Sequence, residues 1–248
     1  MIELKSKSEK ELLRESGRLA AQVLEYLTDK VKPGVQTREL DSLAYKYIKK
    51  NGAIPSFLGY RGFPATLCTS INNEIVHGIP SRRRLREGDI IKIDVGVYKN
   101  RYHGDTARTY KVGKISEVAD KLVEVTRECL RRGIEASICG GWSGDIGYAI
   151  QSYAESNGFS VIRDFVGHGV GKQLHEAPQL PHFGEKRTGF ILREGMVFSI
   201  EPMINEGHYD VKFLDDGWTA VTKDGSLSAQ FEHVIYIGKD KTEILTDL

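Results

Sequence analysis

The chain has 248 residues, 40% of them hydrophobic and 28% charged, which is enough apolar material to bury one sizeable core without requiring two domains. A formal net charge of +1 excludes bulk attraction to nucleic acid or to a membrane surface and leaves only a local basic patch as a route to phosphates. Cys68, Cys129 and Cys139 are odd in number and sit in unrelated contexts, so neither a disulfide framework nor a paired-cysteine metal knuckle is expected, and a reducing cytoplasm fits.

Residues 1–7 lack the apolar core of a secretory signal, and no run approaches the ~20 apolar residues of a membrane span. Ser8, with Glu11 three residues later, predicts a capped helix start. Leu12, Leu13, Leu19, Ala20, Val23, Leu24 and Leu27 carry that helix to the stop at Lys32-Pro33-Gly34. Thr37 is expected to cap a second helix with Leu40, Leu43, Ala44, Tyr47 and Ile48 on one stripe, closed by Asn51-Gly52. Mixed loop and strand follow to Pro80. Arg82, Arg83, Arg84 and Arg86 then crowd one segment, which reads as a solvated loop or, functionally, as an RNA-facing patch.

The next segment carries the most chemistry. Residues 90–98 alternate as a strand, with Ile91, Ile93, Val95 and Val97 on one face and Asp94 on the other. Residues 101–110 return after a Lys99-Asn100 turn, and a two-residue turn there sets Asp94 directly across from Asp105. Opposed like charges destabilise a sheet, so the pair makes sense with a cation between them. Ser116 opens a third helix and Ser143 a fourth, which ends at Asn157-Gly158; strands complete the chain. Each half thus reads as two helices followed by strands, with an aspartate pair in the first and a glutamate pair in the second, which implies a duplicated α+β fold.

Three further ligand types stand alone in apolar or glycine-rich runs: His168, Glu201 and Glu232. Asp94, Asp105, Glu201 and Glu232 together carry a charge that two divalent ions would neutralise and one would not, so a dinuclear centre is expected. The glycine run around His168 lacks phosphate-loop spacing, with Gln173 where a hydroxyl is needed. His175-Glu176 is followed by Gln179 where the zinc-protease motif needs a second histidine.

Taken in order, Asn72-Asn73-Glu74-Ile75-Val76-His77-Gly78-Ile79-Pro80, Asp94 with His103-Gly104-Asp105-Thr106, Gly167-His168-Gly169-Val170-Gly171 with His175-Glu176-Ala177-Pro178, Ser199-Ile200-Glu201-Pro202 and Ser228-Ala229-Gln230-Phe231-Glu232-His233 span nearly the whole chain. This set resembles the methionine aminopeptidases, specifically the short bacterial type I form. The resemblance implies the pita-bread fold, with pseudo-twofold helix-helix-sheet halves around a central antiparallel sheet, in one catalytic domain over residues 1–248. It implies removal of the initiator methionine from nascent polypeptides, favouring a small second residue, by two divalent metal ions whose identity (Co, Mn, Fe or Zn) the ligand types leave open. Asp94 would chelate one ion, Asp105 and Glu232 would bridge, and His168 and Glu201 would complete the other. His77, His175 and Glu201 would serve catalysis, and Phe57, Tyr60, Phe63, Cys68 and Trp218, with both histidines, would bind substrate. A cytoplasmic monomer is expected, with the ribosome as a partner through the arginine patch. The alternatives are an Xaa-Pro-type aminopeptidase and a non-catalytic binding protein of the same fold; the remaining histidines, His103, His182, His208 and His233, are read as structural or surface residues.

Overall fold

A computed structural model describes residues 2–248; residue 1 of the segment read for a signal lies outside the described residues. Helix α1 (Lys7–Thr28) starts earlier than Ser8, because Ser6 is its cap: the Ser6 hydroxyl accepts from the Glu9 N–H and the Glu9 carboxylate accepts from the Ser6 N–H. The Ser-x-x-Glu spacing occurs at both places, and a tertiary contact decides between them, since the Tyr102 hydroxyl donates to Glu9 Oε1 at 2.8 Å. Helix α2 (Thr37–Lys50) follows Gln36 and has no side-chain cap; Thr37, expected as its cap, instead accepts from the Ser81 N–H at 2.8 Å. Helix α3 (Glu117–Ala136) is capped by Ser116 as predicted, and α4 (Ser143–Ser156) begins at the predicted serine.

Every strand pairing is antiparallel among the described residues. In the first half, the Ile90–Lys99 strand pairs with Tyr102–Lys111 on one edge and with Leu67–Ile71 and Ile54–Pro55 on the other. In the second half a five-stranded sheet runs Thr242–Ile244, His233–Ile237, Val197–Ile200, Gly167–Gly169, Glu176–Leu180. Each helix pair covers the outer face of its own sheet. Leu24 and Leu27 of α1 and Leu40 and Ile48 of α2 pack on Ile91, Ile93, Val95 and Val97. Leu122 and Cys129 of α3 and Ile146 and Ile150 of α4 pack on Phe198, Ile200, Ile204 and Ile235. The predicted repeat of element order is present, and the inner faces of the two halves meet.

The central hairpin turns one residue later than expected. Asn100 and Arg101 both adopt positive φ (51° and 70°), so Lys99 pairs with Tyr102, Asp94 faces Ala107 and Asp105 faces Gly96. Asp94 and Asp105 are therefore diagonal neighbours, not directly opposed; because the shift in pairing is two residues, both still project from one face.

Helix α1 lies against this hairpin at Gly104, where a Cβ would stand 2.3 Å from the Gly17 nitrogen, and the Ser16 hydroxyl donates to the Tyr102 carbonyl at 3.0 Å. Replacement of Gly104 by Ala forces helix and hairpin apart and is expected to lower the unfolding free energy by about 1–3 kcal/mol, read from urea denaturation. An unchanged midpoint would mean that α1 sits farther from the hairpin.

Candidate metal centre

The two halves bring five ligand-type side chains to one place. Asp94 and Asp105 come from the hairpin, His168 from the Gly167–Gly169 strand, Glu201 from the end of Val197–Ile200, and Glu232 from just beyond Ser228–Gln230. One ligand atom from each of Asp105, His168 and Glu232 lies within 4.8 Å of the others. His168 Nε2 stands 3.6 Å from Glu201 Oε1 and 3.8 Å from Asp105 Oδ2. Asp105 and Glu232 are only 3% and 2% exposed, so these charges are withheld from water.

The surrounding hydrogen bonds aim the ligand atoms inward. The His168 ring presents Nδ1 to the Gly169 carbonyl at 3.1 Å, which places the proton on Nδ1 and leaves the Nε2 lone pair facing the acids. Ser199 couples two of the residues: its hydroxyl donates to Glu201 Oε1 at 2.8 Å and accepts from the His168 backbone N–H at 2.9 Å. Glu232 is fixed by its main chain, whose N–H donates to the Ala107 carbonyl at 2.9 Å and whose carbonyl accepts from the Thr106 hydroxyl at 2.7 Å.

Three buried carboxylate oxygens, Asp94 Oδ1, Asp105 Oδ1 and Glu232 Oε1, have no hydrogen-bond partner. Buried acceptors are rarely left so, and three converging with a bare imidazole nitrogen form an oxygen-rich donor set suited to divalent cations. Without a cation, burial raises the proton affinity of each acid. Asp94 is pushed up to about 7 and Glu201 to about 8. Asp105 and Glu232 are pushed well above the usual carboxylate range, by burial first and then by the neighbouring charges. Burial moves His168 the other way, down to about 4, so its imidazole is neutral and able to ligate.

The cluster forms the base of a cavity of about 570 Å³ lined by all twelve residues singled out from the sequence, Phe57, Tyr60, Phe63, Cys68, His77, Asp94, Asp105, His168, His175, Glu201, Trp218 and Glu232. Phe57, Phe63 and Cys68 are buried together with Leu174, against Tyr60, Ile79 and Trp218. The Phe63 and Trp218 rings meet edge to face with centroids 5.1 Å apart. His175 lies over His168, centroids 4.1 Å apart, and its Nδ1 meets the Tyr60 hydroxyl at 2.8 Å. His77 stands edge-on to Phe165 and Trp218.

Sequence reasoning missed several participants. Gln230, whose amide reaches toward Glu201 Oε2 at 3.5 Å, was inside a quoted motif but carries no charge to attract notice. Phe165, Leu174 and Met203 also line the cavity and look like ordinary core residues. His182, read as structural, is wholly buried and accepts the Glu201 backbone N–H on Nε2 at 3.0 Å, so it holds the main chain of a ligand candidate. His103 shares a hydrogen bond of 2.8 Å with the Ser56 hydroxyl.

Residues 11–239 match the model of metallopeptidase family M24. The chain is similar to methionine aminopeptidase A of Synechocystis sp., 58% identical over 246 residues that cover 99% of this chain and 97% of that protein. It is similar to methionine aminopeptidase 1 of Bacillus subtilis, 51% identical with 99% of each chain covered. The crystal structure of methionine aminopeptidase from Rickettsia prowazekii superposes with a TM-score of 0.98 at 46% identity over the full length of both chains. With the α+β architecture and the acid-histidine cluster in place, these likenesses settle the family: the chain belongs to metallopeptidase family M24 and, within it, to the methionine aminopeptidases.

Proposed function

We infer that this chain is a methionyl aminopeptidase that removes the initiator methionine from proteins, acting as one catalytic domain over residues 1–248 with two divalent ions held by Asp94, Asp105, His168, Glu201 and Glu232. The observation that carries the dinuclear reading is the set of orphaned oxygens on Asp94, Asp105 and Glu232 at the base of an aromatic cavity. Cobalt, manganese, iron and zinc all suit these ligands. Such ions, when bound, supply Lewis acidity and acidify water toward a pKa of ~7, the general property of two-metal hydrolytic sites, aminopeptidases among them.

The chain's own residues do the rest. Glu201, steadied by Ser199 and reached by Gln230, accepts the proton released as water attacks the scissile carbonyl and passes it to the leaving nitrogen. The Tyr60 hydroxyl donates to His175 Nδ1, which leaves Nε2–H to donate to the oxyanion as it forms. Burial holds His77 down to about 4, so it meets the peptide as a neutral imidazole beside the scissile amide. Phe57, Tyr60, Phe63, Cys68 and Trp218 form the methionine pocket: an apolar, polarisable wall suits a thioether, and burial keeps the Cys68 thiol protonated. The substrate's second residue faces the cavity wall, which favours a small side chain.

No helix among the described residues is long and apolar enough to cross a membrane. The proposed setting is the cytoplasm, as a monomer acting on nascent chains. Contact with the ribosome would fall to the exposed cluster of Arg82, Arg83, Arg84 and Arg86, where Arg83 pairs with Glu74 at 2.6 Å and Arg84 donates to the Gly34 carbonyl at 2.6 Å, leaving Arg82 and Arg86 the freer contacts.

Three measurements test this reading. Methionine should be released from Met-Ala-Ser only in the presence of a divalent ion, and from Met-Leu-Ser at least about a hundredfold more slowly, since ~1 Å of misplacement has that effect. Preference for a peptide with proline second would mark an Xaa-Pro enzyme, and no release at all a binding protein. Replacement of His175 by Ala should lower kcat by about a hundredfold or more with metal affinity unchanged; loss of metal instead would make His175 a ligand.

The third concerns pH. Because the folded values of the clustered acids are raised, the stability that their protonation contributes is full below the ordinary carboxylate range and is lost as pH climbs through about 7 for Asp94 and about 8 for Glu201. The buried histidines and Lys92, whose folded values are lowered, act in the opposite sense, but they are common to wild type and Asp105→Asn. Metal-free wild type should therefore lose more Tm than metal-free Asp105→Asn between about pH 6.5 and about pH 8.5, while Asp105→Asn loses turnover. Equal slopes with turnover retained would remove Asp105 from the cluster.

A further inference from the structure

Lys92 heads the largest wholly buried side chains among the described residues, only 1% exposed on the inner face of the Ile90–Lys99 strand, two residues ahead of Asp94. Its ammonium donates to two backbone carbonyls, Asn72 O and Ser228 O, each at 2.8 Å. Burying an amino group against neutral partners is unfavourable, and a hydrocarbon of the same length would fill the space without that penalty. What hydrocarbon does not supply is a donor that reaches both carbonyls at once.

The two carbonyls belong to segments that lead into the active site from opposite halves of the chain. Asn72 occupies a turn with positive φ (54°), its side chain accepting from the Ile90 N–H at 3.0 Å and donating to Asp89 at 2.8 Å. From there the Glu74–Val76 strand leads directly to His77. Ser228 opens the strand that carries Gln230 and continues to Glu232. This strand is tied to the hairpin farther along by Thr109, which donates to the Gln230 carbonyl at 2.6 Å, and by Thr106 at the Glu232 carbonyl. Lys92 makes the tie at its leading end, where Asn72 O also accepts the Ser228 N–H at 3.0 Å.

We propose that Lys92 is a positioning residue: a fixed internal donor that locks the Asn72 turn to the Ser228–Gln230 strand and thereby sets His77 and Glu232 in register across the substrate. The role rests on the aminopeptidase reading for its assay and on the hydrogen-bond geometry alone for its cause. The loss it guards against is one of placement, so it falls on kcat more than on KM.

The test compares wild type, Lys92→Met, which keeps the bulk without a donor, and Lys92→Ala with and without methylammonium chloride, an amine that fits the vacated end. Per folded protein, Lys92→Met should lose about tenfold or more in kcat on Met-Ala-Ser, with KM within about threefold of wild type. Methylammonium should raise both the kcat and the Tm of Lys92→Ala while leaving wild type and Lys92→Met unmoved, and this arm decides the matter if Lys92→Met does not fold. Wild-type kcat in Lys92→Met, or Lys92→Ala indifferent to methylammonium in both kcat and Tm, would overturn the proposal. Failure of wild type to release methionine would instead count against the aminopeptidase reading, and the Tm response to methylammonium would still judge Lys92.

Discussion

Mutual repulsion among Asp94, Asp105, Glu201 and Glu232, held out of water at the base of one cavity, is the constraint around which the rest of this structure is organised. A chain does not bring acids together in this way without a means of neutralising them, because each buried charge raises the proton affinity of its neighbours. Only Glu201 is given substantial side-chain hydrogen-bond support, from Ser199 at 2.8 Å, while Asp94, Asp105 and Glu232 each keep an unpartnered oxygen. The protein thus solves the placement of the acids and leaves their charge to be balanced, which makes the cluster a candidate metal site in a chain of metallopeptidase family M24.

Placement is achieved by topology. Each half contributes a helix pair that seals the outer face of its sheet, so the inner faces are free to carry polar residues. The hairpin supplies the aspartates, and the segment from Ser228 to Glu232 crosses it on a series of hydrogen bonds to Lys92, Thr109, Ala107 and Thr106. That stitching makes the candidate metal site a property of the interface between halves. The aromatic walls belong to a different level of the design: Phe57, Tyr60, Phe63 and Trp218 come from loops and short turns beside the rigid sheets that carry the acids.

The acids were legible in the sequence because a lone charged residue inside an apolar or glycine-rich run is informative by itself, and because the motif order adds what no single motif carries. The register of the hairpin was less so. Neither residue of the Asn100-Arg101 turn is a glycine, so nothing local marks the positive φ that both adopt, and the pairing moved by two residues. A two-residue shift preserves the face, so Asp94 and Asp105 still project together. The cap of α1 failed for another reason: two equivalent Ser-x-x-Glu pairs were available, and a hydroxyl from Tyr102, distant in sequence, chose between them. His182 and Lys92 are legible only in three dimensions, since the first acts on the main chain of Glu201 and the second on carbonyls of Asn72 and Ser228. Local pattern reports which side chains have unusual chemistry; it does not report which backbone groups they hold.

The most direct test of the central claim is calorimetric titration of metal-free protein with manganese near pH 7.5, repeated in buffers of different ionisation enthalpy. Acids whose proton affinity is raised by burial and by one another give up protons when cations replace them. The account predicts about two ions bound per chain with net proton release to the buffer. Binding of a single ion, or uptake of two without proton release, would contradict it.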